Sequence, residues 1–251
     1  MAIVQRMMLL DTAKCIGCKA CQVACKQWHE LPADTTSFTG SYQNPTGFSD
    51  NTWTYVKFKE YSDLTGKLNF LLFKNQCRHC VRPKCQPRNP KGVKRFTNGF
   101  VLYNDNCTWE NVRLSSAEKI WRDNLVGDAA KKAYTIELFT DACPFRVPRY
   151  NDYLDKFVKC DFCFNRFGGE YSVAYRGANP TTACEMTCPP GAIQTGSVAE
   201  ITALATARYK KVRKDYPEAC LHTGGFGRTN VVFLLTQSAS SYGFEPNTRG
   251  L

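Results

Sequence analysis

Twelve of the fourteen cysteines fall into spaced runs, and no other feature of the 251 residues narrows the possible folds so far. The run CIGCKACQVAC sets Cys15, Cys18, Cys21 and Cys25 at C-x2-C-x2-C-x3-C. That spacing holds [4Fe-4S] clusters in pairs, with the fourth cysteine ligating the neighbouring cluster. A cubane core needs four thiolates converging from different directions. Three near neighbours wrap one corner, and the fourth comes from elsewhere in the chain. The run therefore requires a partner segment, and Cys160, Cys163, Cys184 and Cys188 supply one as C-x2-C-x20-C-x3-C-P. Crossing the fourth ligands assigns one cluster to Cys15, Cys18, Cys21 and Cys188, and a second to Cys25, Cys160, Cys163 and Cys184.

The middle of the chain repeats this plan incompletely. Cys77, Cys80 and Cys85 read C-x2-C-x4-C, and Asn89-Pro90 stands where Cys-Pro would close the motif. Cys143-Pro144 resembles the end of another motif, and counting back places Phe139, Ile136 and Ala133 where cysteines would stand. By the crossed rule, those three positions and Asn89 would all have served one cluster. Its ligands are missing together, so the expectation is a lost cluster whose space is filled by apolar side chains. Cys77, Cys80, Cys85 and Cys143 then form the third surviving set, for three [4Fe-4S] clusters in all.

Other uses of so many cysteines fit less well. A disulfide scaffold suits small secreted chains, whereas MAIVQRMMLLD lacks a long apolar region and a small-residue cleavage site. Zinc ribbons use C-x2-C pairs, but four cysteines within eleven residues crowd a single tetrahedral ion. The formal charge of +11 would suit nucleic-acid binding. Twelve cluster thiolates would offset that charge and three oxidised cores return about six, leaving roughly +5. No recognition motif supports a nucleic-acid partner. Val231–Leu235 and Leu68–Phe73, the longest apolar stretches, are strand-sized, so no membrane span is expected.

Along the chain, Met7–Leu10 reads as a strand, Ala20–Trp28 as a helix and Leu31–Asn51 as a long surface loop. Alternation predicts paired strands over Thr54–Lys59 and Lys67–Phe73, with another strand at Phe100–Tyr103. Ser115–Phe139 reads as helical, interrupted at Gly127, with Ile120, Trp121 and Leu125 on one face. Val198–Tyr216 is the clearest helix, opened by a Ser197/Glu200 capping box and ended by Pro217. Val198, Ile201, Leu204, Tyr209 and Val212 mark its apolar stripe. Asn230–Leu235 is the last strand, followed by a polar, extended tail.

The fold class that follows is α+β, as two interleaved ferredoxin-like halves with long loop insertions and a C-terminal helix. Residues 1–30 and 145–196 form the outer half with two clusters, 52–144 the inner half with one, and 197–251 the helix and tail.

The motif order, with CPFRVPRYN and KCDFCFNR, resembles the electron-transfer β subunits of the dimethyl sulfoxide reductase superfamily of molybdenum and tungsten oxidoreductases. With CQVACKQWHELP, QNPTGF, NQCRHC and the lost cluster, it resembles most the iron–sulfur subunit of formate dehydrogenases. The resemblance spans Met7 to Thr236. It implies a non-catalytic subunit relaying electrons through its clusters. The partner it implies is a large subunit holding a molybdenum or tungsten bis-pyranopterin centre and one more [4Fe-4S] cluster. A cytochrome or another redox protein would be the acceptor. It further implies a periplasmic complex exported already folded, with a cytoplasmic complex as the alternative. The same relay role beside a sulfur-compound or nitrate-type reductase, or a free polyferredoxin carrier, are the competing readings. The long loop Leu31–Asn51 and the aromatic content favour a fixed partner.

Of the remaining candidates, Ile16, Gly17, Lys19 and Ala20 are expected to turn backbone N–H groups toward cluster sulfurs. His79, between two ligands, either modulates its cluster or faces solvent or a hydrogen-bond partner. His29 and His222 read as structural, Cys107 and Cys220 as ordinary thiols, and Trp28, Trp53 and Trp109 as packing residues.

Overall fold

The run VVFLL, Val231–Leu235, is buried at every position. A strand whose side chains are all apolar needs cover on both faces, and this one obtains it at the centre of a mixed sheet. In the structure, a computed structural model that describes residues 5–62, 65–66, 68–167, 180–223 and 229–244, the elements follow one another as below. They are β1 (Arg6–Asp11), α1 (Ala20–Trp28), β2 (Tyr55–Ser62), β3 (Leu68–Asn75), α2 (Cys85–Arg88), β4 (Val93–Arg95) and β5 (Val101–Tyr103). Then come α3 (Ser116–Asp123), α4 (Asp128–Asp141), β6 (Arg149–Asn151), β7 (Lys156–Val158) and α5 (Ala183–Met186). The last are β8 (Ile193–Ser197), α6 (Val198–Asp215), β9 (Cys220–His222) and β10 (Val231–Leu235).

The central sheet has the order β8-β1-β10-β9, with β1 parallel to β10 and the two edge strands antiparallel. Strand alternation divides its side chains cleanly. Leu9, Val232 and Leu234 pack under α6 against Ile201, Ala205 and Val212. Met8, Leu10, Val231, Phe233 and Leu235 face the other way, toward the cysteine loops, with Phe73, Phe100 and Phe162. The α6 N-terminus carries the expected capping box, Ser197 with Glu200. The β2–β3 hairpin pairs from Tyr55↔Asn75 to Ser62↔Leu68 and lies over the cysteine-facing side of the sheet through Val56, Leu71 and Phe73. Helices and sheets are thus mixed as the α+β reading requires.

The expected helix over Ser115–Phe139 is two helices, with Gly127 between them at φ +87°, a conformation open to glycine. The apolar face expected on α3 is not buried: Ile120 and Trp121 are 64% and 69% exposed. Polar contacts hold the helix instead, since Arg88 pairs with Glu118 and bonds to the Arg113 carbonyl at 2.9 Å. The tail also differs from expectation. Residues 238–244 turn back on the sheet rather than extending, burying Tyr242, whose hydroxyl meets Thr12 and Thr236 at 3.0 and 2.8 Å. Aromatic burial outweighs the polar composition here. The part of the tail beyond residue 244 lies outside the described residues.

The region of the expected lost cluster is packed. Phe139 is fully buried with its ring 4.2 Å from that of Phe157, among Val93, Val101, Val112 and Cys107. Asn89 is also buried, its amide donating to the Thr108 carbonyl and its oxygen accepting from Gly92 N–H. Ile136 is half-buried at the edge, whereas Ala133 is exposed and takes no part. Gly92 sits so tightly that an added Cβ would lie 2.2 Å from the Cα of Cys107. A Phe139→Ala substitution should cost about 3–5 kcal/mol, the range for removing a buried aromatic. Chemical denaturation measures it. Iron content should stay that of the parent protein.

Candidate metal centres

Helix geometry brings the cysteines together. Residues four apart share a helix face, and Cys21 and Cys25 are both buried on α1. They open into different cavities one turn apart. The first cavity is lined by Cys15, Cys18, Cys21 and Cys188, the second by Cys25, Cys160, Cys163 and Cys184. The same exchange runs in reverse at α5, where Cys184 reaches the second cavity and Cys188, four residues on, the first. Helices α1 and α5 touch through Ala24 and Ala183, small enough for close approach. A third cavity is lined by Cys77, Cys80, Cys85 and Cys143. Here the partners four residues away are Asn89 and Phe139, which face the packed region described above.

The loops carrying the cysteines turn through left-handed backbone. Gly17 and Lys19 in the first run, His79 between Cys77 and Cys80, and Phe162 and Cys163 in the later run all have positive φ. Non-glycine residues rarely adopt this conformation, and it turns successive N–H groups into a concave, anion-binding nest. The amides do face sulfur: Ala192 N–H points at Cys188 Sγ at 3.2 Å and His79 N–H at Cys77 Sγ at 3.5 Å. Gly17 N–H lies against Cys15, Phe162 N–H against Cys160, and Ala183 N–H against Cys163. A Cβ on Gly17 would meet the Phe58 ring at 2.9 Å.

Burial pushes the Cys21, Cys85 and Cys160 thiols up to about 12, and Lys74 pulls against this at Cys21 and Cys160. Without an electrophile these groups keep their protons, so a metal would have to displace them. The charges around the cavities favour anions. Lys74, Arg78 and Lys159 are each at most 5% exposed. Lys74 lines the first and second cavities, Arg78 and Lys159 the third. Arg78 Nε and Nη1 are buried without a hydrogen-bond partner among the described residues. Buried cations are costly unless opposed by negative charge. Four convergent thiols beside unopposed cations is the donor set of an anionic [4Fe-4S] cluster, and the residues present fit that group.

The histidines take defined places. His79 is fully buried rather than solvent-facing. Its Nδ1 accepts from Val101 N–H at 3.1 Å, and burial, then Lys159, holds it well below its usual pKa. His29 donates through Nδ1 to the Cys25 carbonyl at 2.9 Å and meets the Asp161 carboxylate through Nε2 at 2.9 Å. Burial pulls its pKa down, but the Asp161 carboxylate outweighs this and holds it above the ordinary value. Donor atoms of His29, Asp161 and Cys163 lie close enough for a metal, and two of the three residues, His29 and Cys163, also line the second cavity. His222 stacks on Phe244 with ring centroids 4.8 Å apart. Trp28 packs under Arg166, Trp53 beside His29, and Trp109 at the edge of the Phe139 cluster. Cys107 is fully buried outside the third cavity, and Cys220 is half-buried in β9.

The buried cations escape sequence reading. Lys159 directly precedes Cys160 and Lys74 stands three residues before Cys77, but lysine in such places ordinarily reads as surface. Asp11 also escapes it. This residue is 3% exposed on the first cavity wall, accepting from Arg208 Nε at 2.8 Å and from Ala13 N–H at 3.1 Å.

Comparison with known proteins points to the same type of cluster. A 4Fe-4S binding domain matches residues 6–27, and a 4Fe-4S dicluster domain matches residues 120–198. Formate dehydrogenase 2 subunit beta (cytochrome c-553) of Nitratidesulfovibrio vulgaris is 31% identical over 93% of this chain and 94% of its own length. Formate dehydrogenase subunit beta of Megalodesulfovibrio gigas is 32% identical, again over 93% and 94%. The nitrate-inducible formate dehydrogenase iron–sulfur subunit of Escherichia coli is 33% identical over 90% of this chain and 67% of its own. Replacing Asp11 with alanine should destabilise the protein by about 1.5–3 kcal/mol, the worth of hydrogen bonds to a charged group. The shift of the denaturation midpoint checks this, and Asp11→Asn should cost less because it keeps an acceptor for Ala13.

Proposed function

The chain belongs to the formate dehydrogenase iron–sulfur (β) subunit family, and from that membership we propose that it is a three-cluster electron relay. One [4Fe-4S] cluster rests on Cys15, Cys18, Cys21 and Cys188, one on Cys25, Cys160, Cys163 and Cys184, and one on Cys77, Cys80, Cys85 and Cys143. The observation that carries this reading is the convergence of each foursome, drawn from distant segments, on one cavity. Bound there, the clusters supply one-electron exchange. The chain's own part is to hold them: thiolates ligate, loop amides donate to sulfur, and buried cations oppose the charge. The packing of Phe139 and Asn89, where further thiolates would stand, supports a count of three.

In this reading formate chemistry belongs to a large partner subunit with a molybdenum or tungsten bis-pyranopterin centre and its own [4Fe-4S] cluster. The electrons leave to a cytochrome or another redox protein; the Nitratidesulfovibrio relative carries cytochrome c-553 in its name. Among the described residues, no helix is long and apolar enough to cross a membrane. The compartment we propose is the periplasm, as part of a complex exported folded.

Iron and acid-labile sulfide should each come to about twelve per chain. Cys25→Ser should damage the cluster on Cys160, Cys163 and Cys184 and leave that on Cys15, Cys18 and Cys21, as resolved by electron paramagnetic resonance. Sixteen irons, or loss of the Cys15 cluster instead, would overturn the assignment. The cluster-loaded chain without a partner should not oxidise formate with artificial acceptors, and turnover by it would remove the relay reading.

A further inference from the structure

The buried lysines do not stand one to a cavity. Lys74, at the end of β3, lines both the first and the second cavity. Its charge is felt by Cys21 on one side and by Cys25 and Cys160 on the other. Lys159 lines the third cavity, and it donates to the carbonyl of Cys160, a residue of the second, at 2.9 Å. A further bond to the Val101 carbonyl fixes its ammonium in place. Neither lysine forms an ion pair with a carboxylate among the described residues. Asp161 is near Lys159, but it is held by His29 at 2.9 Å. The second cavity therefore has one buried cation in its wall, shared with the first, and a second bonded to the backbone of one of its cysteines, shared with the third.

We propose that Lys74 and Lys159 are shared counter-cations that set the reduction potentials of adjacent clusters in pairs, Lys74 for the first and second and Lys159 for the second and third. This rests on the three-cluster reading above. A four-cysteine cluster carries roughly −2 when oxidised and −3 when reduced, so a cation held beside it stabilises the reduced form more and raises the potential. Water screens such an effect at the surface; in a buried gap the screening is weak. One ammonium between two clusters acts on both. The second cluster is the one that both lysines serve, Lys74 from the cavity wall and Lys159 from the Cys160 carbonyl. Both are positioning residues: they bind no iron and move no electron.

The test is a potentiometric titration of the intact complex, followed by electron paramagnetic resonance, with iron measured on the same samples. In Lys74→Met, which keeps length and removes charge, the clusters on Cys15 and Cys25 should both shift to lower potential while that on Cys77 stays. Lys159→Met should lower the clusters on Cys25 and Cys77 and leave that on Cys15. Lys74→Arg, keeping the charge, should restore the parent values. Full iron content with unmoved potentials, or equal shifts in all three clusters, would overturn the proposal while leaving the relay reading intact. Fewer than three clusters in the parent protein would instead overturn the relay reading itself. Should Lys74→Met lose iron, Lys159→Met carries the same test; loss of iron in both would show the charges to be needed for assembly rather than for potential, and the proposal would fall.

Discussion

Helical periodicity lets one short helix serve two cavities, and the arrangement of the molecule depends on that. Cys21 and Cys25 share a face of α1, one turn apart, and Cys184 and Cys188 do the same around α5. Two helices set against each other, with Ala24 and Ala183 between them, thus define two neighbouring cavities at once. The N-terminal run must then lie against a segment more than 130 residues away in sequence, and the sheet is what holds it there. Strand β1 leads into the first run and β8 follows Cys188, and the two pair side by side from Arg6↔Ser197 to Leu10↔Ile193. The β-ladder and the cysteine loops therefore secure the same long-range contact, each limiting the freedom of the other.

In the middle of the chain the same spacing lacks four of its thiols. At α2 and α4 the positions four residues from Cys85 and Cys143 hold Asn89 and Phe139. A cavity left empty there would cost stability in proportion to its volume. The Phe139 and Phe157 rings close it, and Asn89, which cannot be buried with its amide unpaired, bonds to Thr108 and Gly92. The neighbouring third cavity is lined by Cys77, Cys80, Cys85 and Cys143, and Cys85 packs against the aromatic cluster as well.

Charge organises what remains. A folded chain ordinarily keeps lysine at its surface, yet Lys74, Arg78 and Lys159 lie in the interior beside the cysteines, Arg78 against the Phe233 ring at 4.1 Å. Together with the inward-facing amides of the left-handed loops, they make a positive interior in which groups of negative charge are favoured. A net basic composition that suggests nucleic acid on first inspection is thus partly an internal feature, directed at the cavities and not at solvent.

The cysteine spacings, read alone, already assign the twelve thiols to three sets, because ligand geometry constrains which residues can meet and the spacing of each run shows it directly. The capping box, the apolar stripe of α6 and the VVFLL strand are legible for a similar reason: each is a local pattern with a local physical cause. Tertiary structure decided the rest. That β10 lies parallel to β1 at the sheet centre, that Tyr242 turns the tail back onto the core, and that Ile120 and Trp121 stay exposed all depend on what packs nearby, which no local pattern contains. The places of Lys74 and Lys159 belong to the same class. A lysine beside a cysteine reads as a surface charge until the fold encloses it, and only the crossing of distant segments shows that Lys74 lines two cavities and that Lys159 lines a third while bonding to the Cys160 backbone of the second.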